Sequence, residues 1–197
     1  MKSTVEKLKI IANNGKFFRG GVKKVKNGKN FVIQLRDIVE NQRSSRLDMS
    51  KVVSANVVSR VPVTFLEKGD VLVTVKRLHK KALHLKEVPS KTVATQHFLI
   101  LRSPNKQKIM PEFIEYVVNS EESQRWFYRK CGGSYESTLN KETLSQLPFP
   151  DIPIEEQRKI VTLINEAHEE KRLLLDLIDN RQQQIKAFAS KLIMADR

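Results

Sequence analysis

LPFPDIPIEEQRKIVTLINEAHEEKRLLLDLIDNRQQQIKAFASKLI, residues 147–193, is the stretch from which the rest of the chain is read. Pro148, Pro150 and Pro153 hold its first part extended, because proline fixes φ and biases the preceding residue away from helix. Pro153 suits the first turn of a helix, where its missing N–H would have no partner, and Glu155 and Glu156 complement the helix dipole there. No glycine or proline follows. Ile160, Ile164, Ala167, Lys171, Leu174, Ile178, Arg181, Ile185, Phe188 and Leu192 recur in alternating steps of four and three, and eight of these ten are apolar. That is a heptad seam. About 40 residues at ~1.5 Å each predict a rod of roughly 60 Å, too long and too narrowly apolar for an ordinary surface helix. The seam alone suits a helix packed along its own domain as well as one zipped to a second chain. Lys171 and Arg181 interrupt it, and charged seam positions restrict register and partner.

The charge is unevenly placed. Of a net +14, residues 1–110 hold 24 Lys and Arg against 7 Asp and Glu, whereas residues 155–195 hold seven of each. A basic front and a neutral rod predict two different partners. The first should be a polyanion, most simply nucleic acid, since neutralising phosphates releases counterions and drives binding. A merely soluble basic surface is the plainer explanation and suits so concentrated an excess less well. Charge does not choose DNA over RNA. With 40% hydrophobic and 29% charged residues the composition is that of a globular protein. No apolar run approaches the ~18–20 residues of a membrane span. MKSTVEKLKII lacks the apolar core and cleavage site of a signal peptide, and Cys131, the one cysteine, suits a reducing compartment. A cytoplasmic location is expected.

Along the chain, Val5, Leu8 and Ile11 lie at helical spacing and predict a short amphipathic helix over residues 2–13. GKFFRGGVKKVKNGKN (15–30) is glycine-rich and basic, without the GxxxxGK[ST] of a phosphate-cradling loop. It reads as a flexible basic loop able to follow a nucleic-acid backbone, or equally as a solvated loop. FVIQLRDI (31–38) reads as a strand, residues 51–66 as further strand material with an edge or bend at Pro62, and DVLVTVK (70–76) as the clearest strand. KTVAT and QHFLILR (91–102) add two more. Residues 110–119 and 121–131 read as helices with Ser120 as a cap between them, and Phe113, Val117, Trp126 and Phe127 as their buried face. LNKETLSQL (139–147) is a short helix or turn. About five strands, three or four short helices and the rod predict an α+β fold, sheet-centred, with residues 1–150 as a globular domain and 151–197 as the long helix.

Catalytic signatures are missing. His79, His84 and His97 have neither a cysteine pair nor an HExxH around them, so no metal site is expected. GxSxG is absent, no base is evident for Cys131, and no glycine-rich cofactor loop follows a strand. Asp37, Glu40, Asp48, Glu67, Asp70 and Glu87 are scattered, whereas a nuclease gathers carboxylates around divalent metal. A chain that binds without catalysing is the expectation.

IQLRDI, LEKGDVLVTV, ATQHFLILRSP and GGSYESTLNKETLSQLPFPDIPIEEQRKIV, in that order and followed by a long helix, resemble the specificity subunits of type I restriction–modification systems. The likeness covers nearly the whole chain, and its strongest part is the leucine–proline run leading into Glu155–Val161. The resemblance implies a target-recognition domain that reads half of a bipartite double-stranded DNA site, followed by a conserved spacer helix. It implies partners too: modification subunits that methylate adenine with S-adenosylmethionine, and a restriction subunit that works with ATP and Mg. The specificity subunit itself holds no cofactor or metal and catalyses nothing. A complete subunit has two such units with antiparallel helices, and here one unit is present without internal repeat. Pairing into a homodimer through the rod is therefore expected, with two-fold symmetry and a palindromic split target. One turn of DNA separates half-site centres by ~34 Å, a distance that the rod can span. The loop after GDVLV is rich in Lys and Arg and lacks glycine, so no contact there is carried over.

The residues expected at DNA are Arg19, Lys23, Lys24 and Lys26, Arg43 and Arg46, Lys76, Arg77, Lys80 and Lys81, and Ser134 and Tyr135. Most should meet phosphates, which take the majority of protein–DNA hydrogen bonds. Ile160, Ile164, Ala167, Leu174, Ile178, Ile185, Phe188 and Leu192 should face the partner helix. Two other classes stay open: a general nucleic-acid-binding regulator that dimerises through its zipper, and an enzyme whose site carries no recognisable motif.

Overall fold

The computed structural model describes residues 2–40, 45–59, 62–76, 79–132 and 138–195. In chain order the elements are β1 (Lys2–Thr4), β2 (Ile11–Asn14), β3 (Asn30–Ile33), β4 (Ile38–Glu40), β5 (Ser45–Leu47), β6 (Val53–Ala55), β7 (Val71–Thr74), β8 (Ala82–His84), β9 (Thr92–Ala94), β10 (Phe98–Arg102), α1 (Pro111–Asn119), α2 (Glu121–Lys130), α3 (Lys141–Ser145), β11 (Pro148–Pro150) and α4 (Ile154–Ala195).

The clearest strand of the sequence, β7, is buried at every position. It lies inside a four-stranded antiparallel sheet of order β2-β10-β7-β8. Val71, Val73 and Val75, with Leu99 and Leu101 of β10, turn to one face and meet Phe113, Ile114 and Val117 of α1, Phe127 of α2 and Leu144 of α3. Leu72, Phe98 and Ile100 turn to the other face and meet Ile33 of β3 and Ala94 of β9. A strand covered on both faces reads as a continuous apolar run instead of an alternation, which is why VLV stood out. The layers are thus helices, the four-stranded sheet, and a three-stranded sheet β6-β3-β9 whose β3–β9 pair is parallel. The mixed α+β architecture with a long C-terminal helix agrees with the expectation.

Several local expectations are corrected. Residues 2–13 form no helix. Lys2–Thr4 is recruited as a strand by Pro148–Pro150, and Ile11–Asn14 by β10. Only one turn survives between them, where the Leu8 N–H donates to the Thr4 carbonyl and Lys9 takes a positive φ of 57°. The run 31–38 is broken by a 3-10 turn at Leu35–Asp37, closed by the Gln34 N–H donating to Asp37 Oδ2 at 2.7 Å. Of residues 51–66, only Val53–Ala55 is strand among those described. Ser120 is the cap expected, its hydroxyl accepting from the Ser123 N–H. Phe113, Val117 and Phe127 are buried, and Trp126 is half-buried against the same core.

The prolines before the rod are placed by strand pairing. Val5 N–H donates to the Leu147 carbonyl, and Ser3 is opposite Phe149. The hydrogen-bonding positions of this ladder are therefore 147 and 149, and Pro148 and Pro150 fall where no N–H is needed. Phe149 is buried edge-on against Phe113, with ring centroids 5.7 Å apart. α4 then starts beside α1. Its Gln157 and Val161 are buried and Ile160 packs on the main core. Its 42 residues give a rod of about 63 Å at ~1.5 Å per residue.

Candidate nucleic-acid interface

The register of the four-stranded sheet decides which loops meet. Leu99 is opposite Asn14, Phe98 opposite Thr74, and Val73 opposite Ala82. The last residues of β2 and β7 and the first of β8 and β10 therefore lie at one end of the sheet. Three connections emerge there: the glycine-rich loop 15–29, the hairpin loop 75–81 and the turn 95–97. A fourth arrives with Thr138, which bridges to Lys76, while the Leu139 N–H donates to the Val75 carbonyl. Separate stretches of the basic front are thus brought to one edge.

The glycine-rich loop is pinned, in contrast to the flexible loop expected. Gly15 N–H donates to the Phe98 carbonyl and Lys16 N–H to the Ala94 carbonyl. A Cβ on Gly15 would stand 2.0 Å from the Thr95 carbonyl oxygen, so no side chain fits. Farther on, Val25 N–H donates to Ser54 of edge strand β6, and Ser54 Oγ returns a bond to the Val25 carbonyl. Val25 is half-buried, and Lys23, Lys24 and Lys26 around it are exposed. Arg19, Lys76 and Lys81 are exposed at the sheet end, and none of these six cations is paired with a carboxylate among the described residues. Arg46 is exposed on the separate β4–β5 hairpin. Arg43, Arg77, Ser134 and Tyr135 lie outside the described residues.

Lys80 is corrected. It is 1% exposed, and its Nζ donates to the Val75 carbonyl at 3.1 Å, inside the loop it was expected to project from. Burial pulls its ammonium pKa down, with Cys131 nearby acting in the opposite sense. A side chain so enclosed does not reach a phosphate. Lys80 belongs instead to the frame that holds the loop. Its N–H donates to Gln124 Oε1 at 2.9 Å, and Gln124 Nε2 donates back to the Lys80 carbonyl at 3.0 Å. Two residues on, Asn119 pairs the same way with the N–H and carbonyl of Ala82, at 2.9 and 3.0 Å. β8 is an edge strand, and these two side-chain amides stand in for the missing neighbour at its entrance.

Reasoning from the sequence missed Asn119 and Gln124, because an amide on a helix surface gives no sign of a distant backbone partner. It also missed Phe17, 66% exposed between Lys16 and Arg19, and Gln96, whose Oε1 accepts from the Phe18 N–H. The FF doublet was the available sign, since Phe18 packs inward while its neighbour points out.

Along α4, Ile160 and Ile164 are half-buried near the globule, and Ala167 is exposed. Leu174, Ile178, Ile185, Phe188 and Leu192 are 51–66% exposed, so this seam is left uncovered by the described residues. Among the described residues no three His, Cys, Asp or Glu side chains come together as a metal site, and no helix is long and apolar enough to cross a membrane.

No family model matches the sequence, and no curated protein matches it. Solved structures do match. The S subunit of the type I restriction-modification system from M. genitalium is similar with a TM-score of 0.54 at 16% identity, over 93% of this chain and 42% of that one. A chain from work on complex assembly and conformational transition of the type I R-M system gives 0.55 at 17% identity, over 88% and 39%. This chain thus spans about two-fifths of the length of each. What they share with this chain is the fold.

Proposed function

We propose that this chain is a non-catalytic DNA-recognition subunit of a type I restriction–modification system. Residues 1–150 read one half of a bipartite duplex target. Residues 151–197 form a stalk that lies antiparallel against the stalk of a second copy and gives methyltransferase subunits a surface to bind. Methyl transfer and cleavage, with the S-adenosylmethionine, Mg and ATP they need, belong to the modification and restriction subunits. The observation that carries this reading is the gathering, at one end of the four-stranded sheet, of exposed cations that have no carboxylate partner among the described residues, on a globule from which an exposed heptad seam departs. Cations fixed on sheet loops suit a regular backbone of phosphates. A seam with seven charges of each sign along residues 155–195 suits self-association without repulsion.

The test is selection of bound duplexes from a random pool by the purified chain. Two half-sites related by two-fold symmetry and separated by a fixed spacer are expected, with light scattering giving a dimer at micromolar concentration. Equally tight binding to scrambled duplexes, with the same salt slope, would mark a general nucleic-acid binder instead. A monomer in solution would remove the paired stalk, and methyl transfer by the chain alone would remove the non-catalytic assignment.

A further inference from the structure

Gln157 uses its oxygen and its amide nitrogen in three hydrogen bonds, and it sits where the rod leaves the globule. It is 2% exposed, one turn into α4. Its Oε1 accepts from the Met110 N–H at 3.0 Å. Its Nε2 donates to the Lys108 carbonyl and to the Ile152 carbonyl, both at 2.9 Å. One amide thus ties together the residue that caps α1, the loop before it and the extended lead-in to the rod itself. Met110 is the N-cap of α1, so the Gln157 carbonyl oxygen also satisfies one of the helix-start N–H groups that have no intrahelical partner. Ile152, Ile160 and Val161 pack around it on the main core. From Asn165 to Met194 the side chains of α4 are exposed apart from Leu175 and Asp176, which are half-buried, so among the described residues the contacts that seat the rod lie at its start.

We infer that Gln157 is the joint that fixes the angle between reader and stalk, and that it thereby sets which half-site spacing the paired protein accepts. The inference rests on the reading of this chain as one half of a bipartite DNA reader. A tilt of ~10° across a domain ~30 Å wide moves the sheet end by about 5 Å. That exceeds the 3.4 Å rise of one base pair. An amide is suited to the task, because its three bonds are directional, whereas the apolar contacts beside it tolerate sliding.

Two measurements on the full chain test this, using Gln157→Ala and Gln157→Met. In the first, spin labels on cysteines introduced by Glu142→Cys and Gln183→Cys, both exposed and off the seam, in a Cys131→Ser background, report the distance between globule and rod. A narrow distribution is expected for the parent and a broadened or shifted one for the variants, with circular dichroism unchanged. In the second, duplexes carrying the selected half-sites at spacers differing by one base pair compete for binding. The parent's preference for one spacer should fall by about tenfold in the variants, while binding to a single half-site stays the same. Identical label distances, or an intact spacer preference, would overturn the inference. Loss of the whole fold in both variants would also overturn it, by making Gln157 a core residue instead of a joint. If the parent selects no split motif, the DNA reading fails, and the labels still decide whether Gln157 holds the angle.

Discussion

The two ends of the four-stranded sheet hold cations in opposite ways. At one end Arg102 is locked: its Nε and Nη2 donate to the two oxygens of Asp70 at 2.7 and 2.8 Å, and its Nη1 to Glu67. Asp70 is buried at 1% exposure and also accepts the Glu67 N–H. At the other end Arg19, Lys76 and Lys81 face solvent with no carboxylate partner among the described residues. Composition counts these cations alike. Placement separates them into those that close the fold and those left facing solvent.

The largest effect expected belongs to the locked end. Asp70→Ala leaves Arg102 without its bidentate partner, and removing one member of a mostly buried ion pair costs roughly 3 kcal/mol or more. Urea denaturation should show that loss, with the salt dependence of DNA binding in the surviving folded protein unchanged. A changed salt slope would erase the division between the two ends. Next comes the open end. The combination Arg19→Ala, Lys76→Ala and Lys81→Ala should leave stability within about 0.5 kcal/mol, as for exposed surface positions. The logarithmic salt slope should flatten by about 0.9 for each cation that meets a phosphate. An unaltered slope would take all three off the interface.

How far the sequence reaches follows the same division. The rod was legible because a seam is a local, periodic signal, and β7 because burial on both faces leaves an unbroken apolar run. Helices α1 and α2 were legible from spacing and from Ser120. β1 was not, since its pairing partner lies about 145 residues away and each half of the pair is only three residues long. The amphipathic spacing of Val5, Leu8 and Ile11 was real, but strand partners outweighed it. The basic loops were found as segments. Their meeting at one sheet end depends on register, which no local pattern contains. Lys80 was misplaced for the same reason, because the amide that fixes its main chain is 44 positions away on α2.

A smaller effect sharpens the locked end through pH. His84 lies opposite Val71 there, with its Nδ1 3.7 Å from Glu112 Oε1 and without a hydrogen-bond partner. Burial pulls the His84 pKa below its ordinary value. Glu112 opposes this, whereas Lys86, Lys106 and Lys68 add to it. The folded state therefore favours the neutral imidazole. Its contribution to stability is present above the unfolded value of about 6.5 and is lost as pH falls through the lower folded one. Glu115, raised by burial and accepting the His84 main-chain N–H, acts in the opposite sense and gains stability as pH falls. His84→Gln should remove the first trend and keep the second, because the main-chain bond survives. Below pH ~6.5 the variant should lose stability less steeply than the parent. Parallel curves would show that His84 does not titrate on unfolding.

The smallest effect expected is a null at the open end, and it sharpens the comparison most because it sets neighbours against each other. Lys80 and Lys81 are adjacent and carry the same charge, yet one is enclosed and the other exposed. Lys80→Met keeps the length of the side chain and removes the buried ammonium, whose burial already works against its charge. The Val75 carbonyl keeps a donor in the Leu139 N–H, at 3.1 Å, so it is not orphaned by the change. Removing a hydrogen bond in this way typically costs about 1 kcal/mol, and relieving the desolvated charge offsets part of it. The salt slope of DNA binding should match the parent in Lys80→Met and fall by about 0.9 in Lys81→Met. A fall of equal size in both would mean that the loop opens on DNA and presents Lys80 as well, and the enclosed position would then describe only the unbound protein.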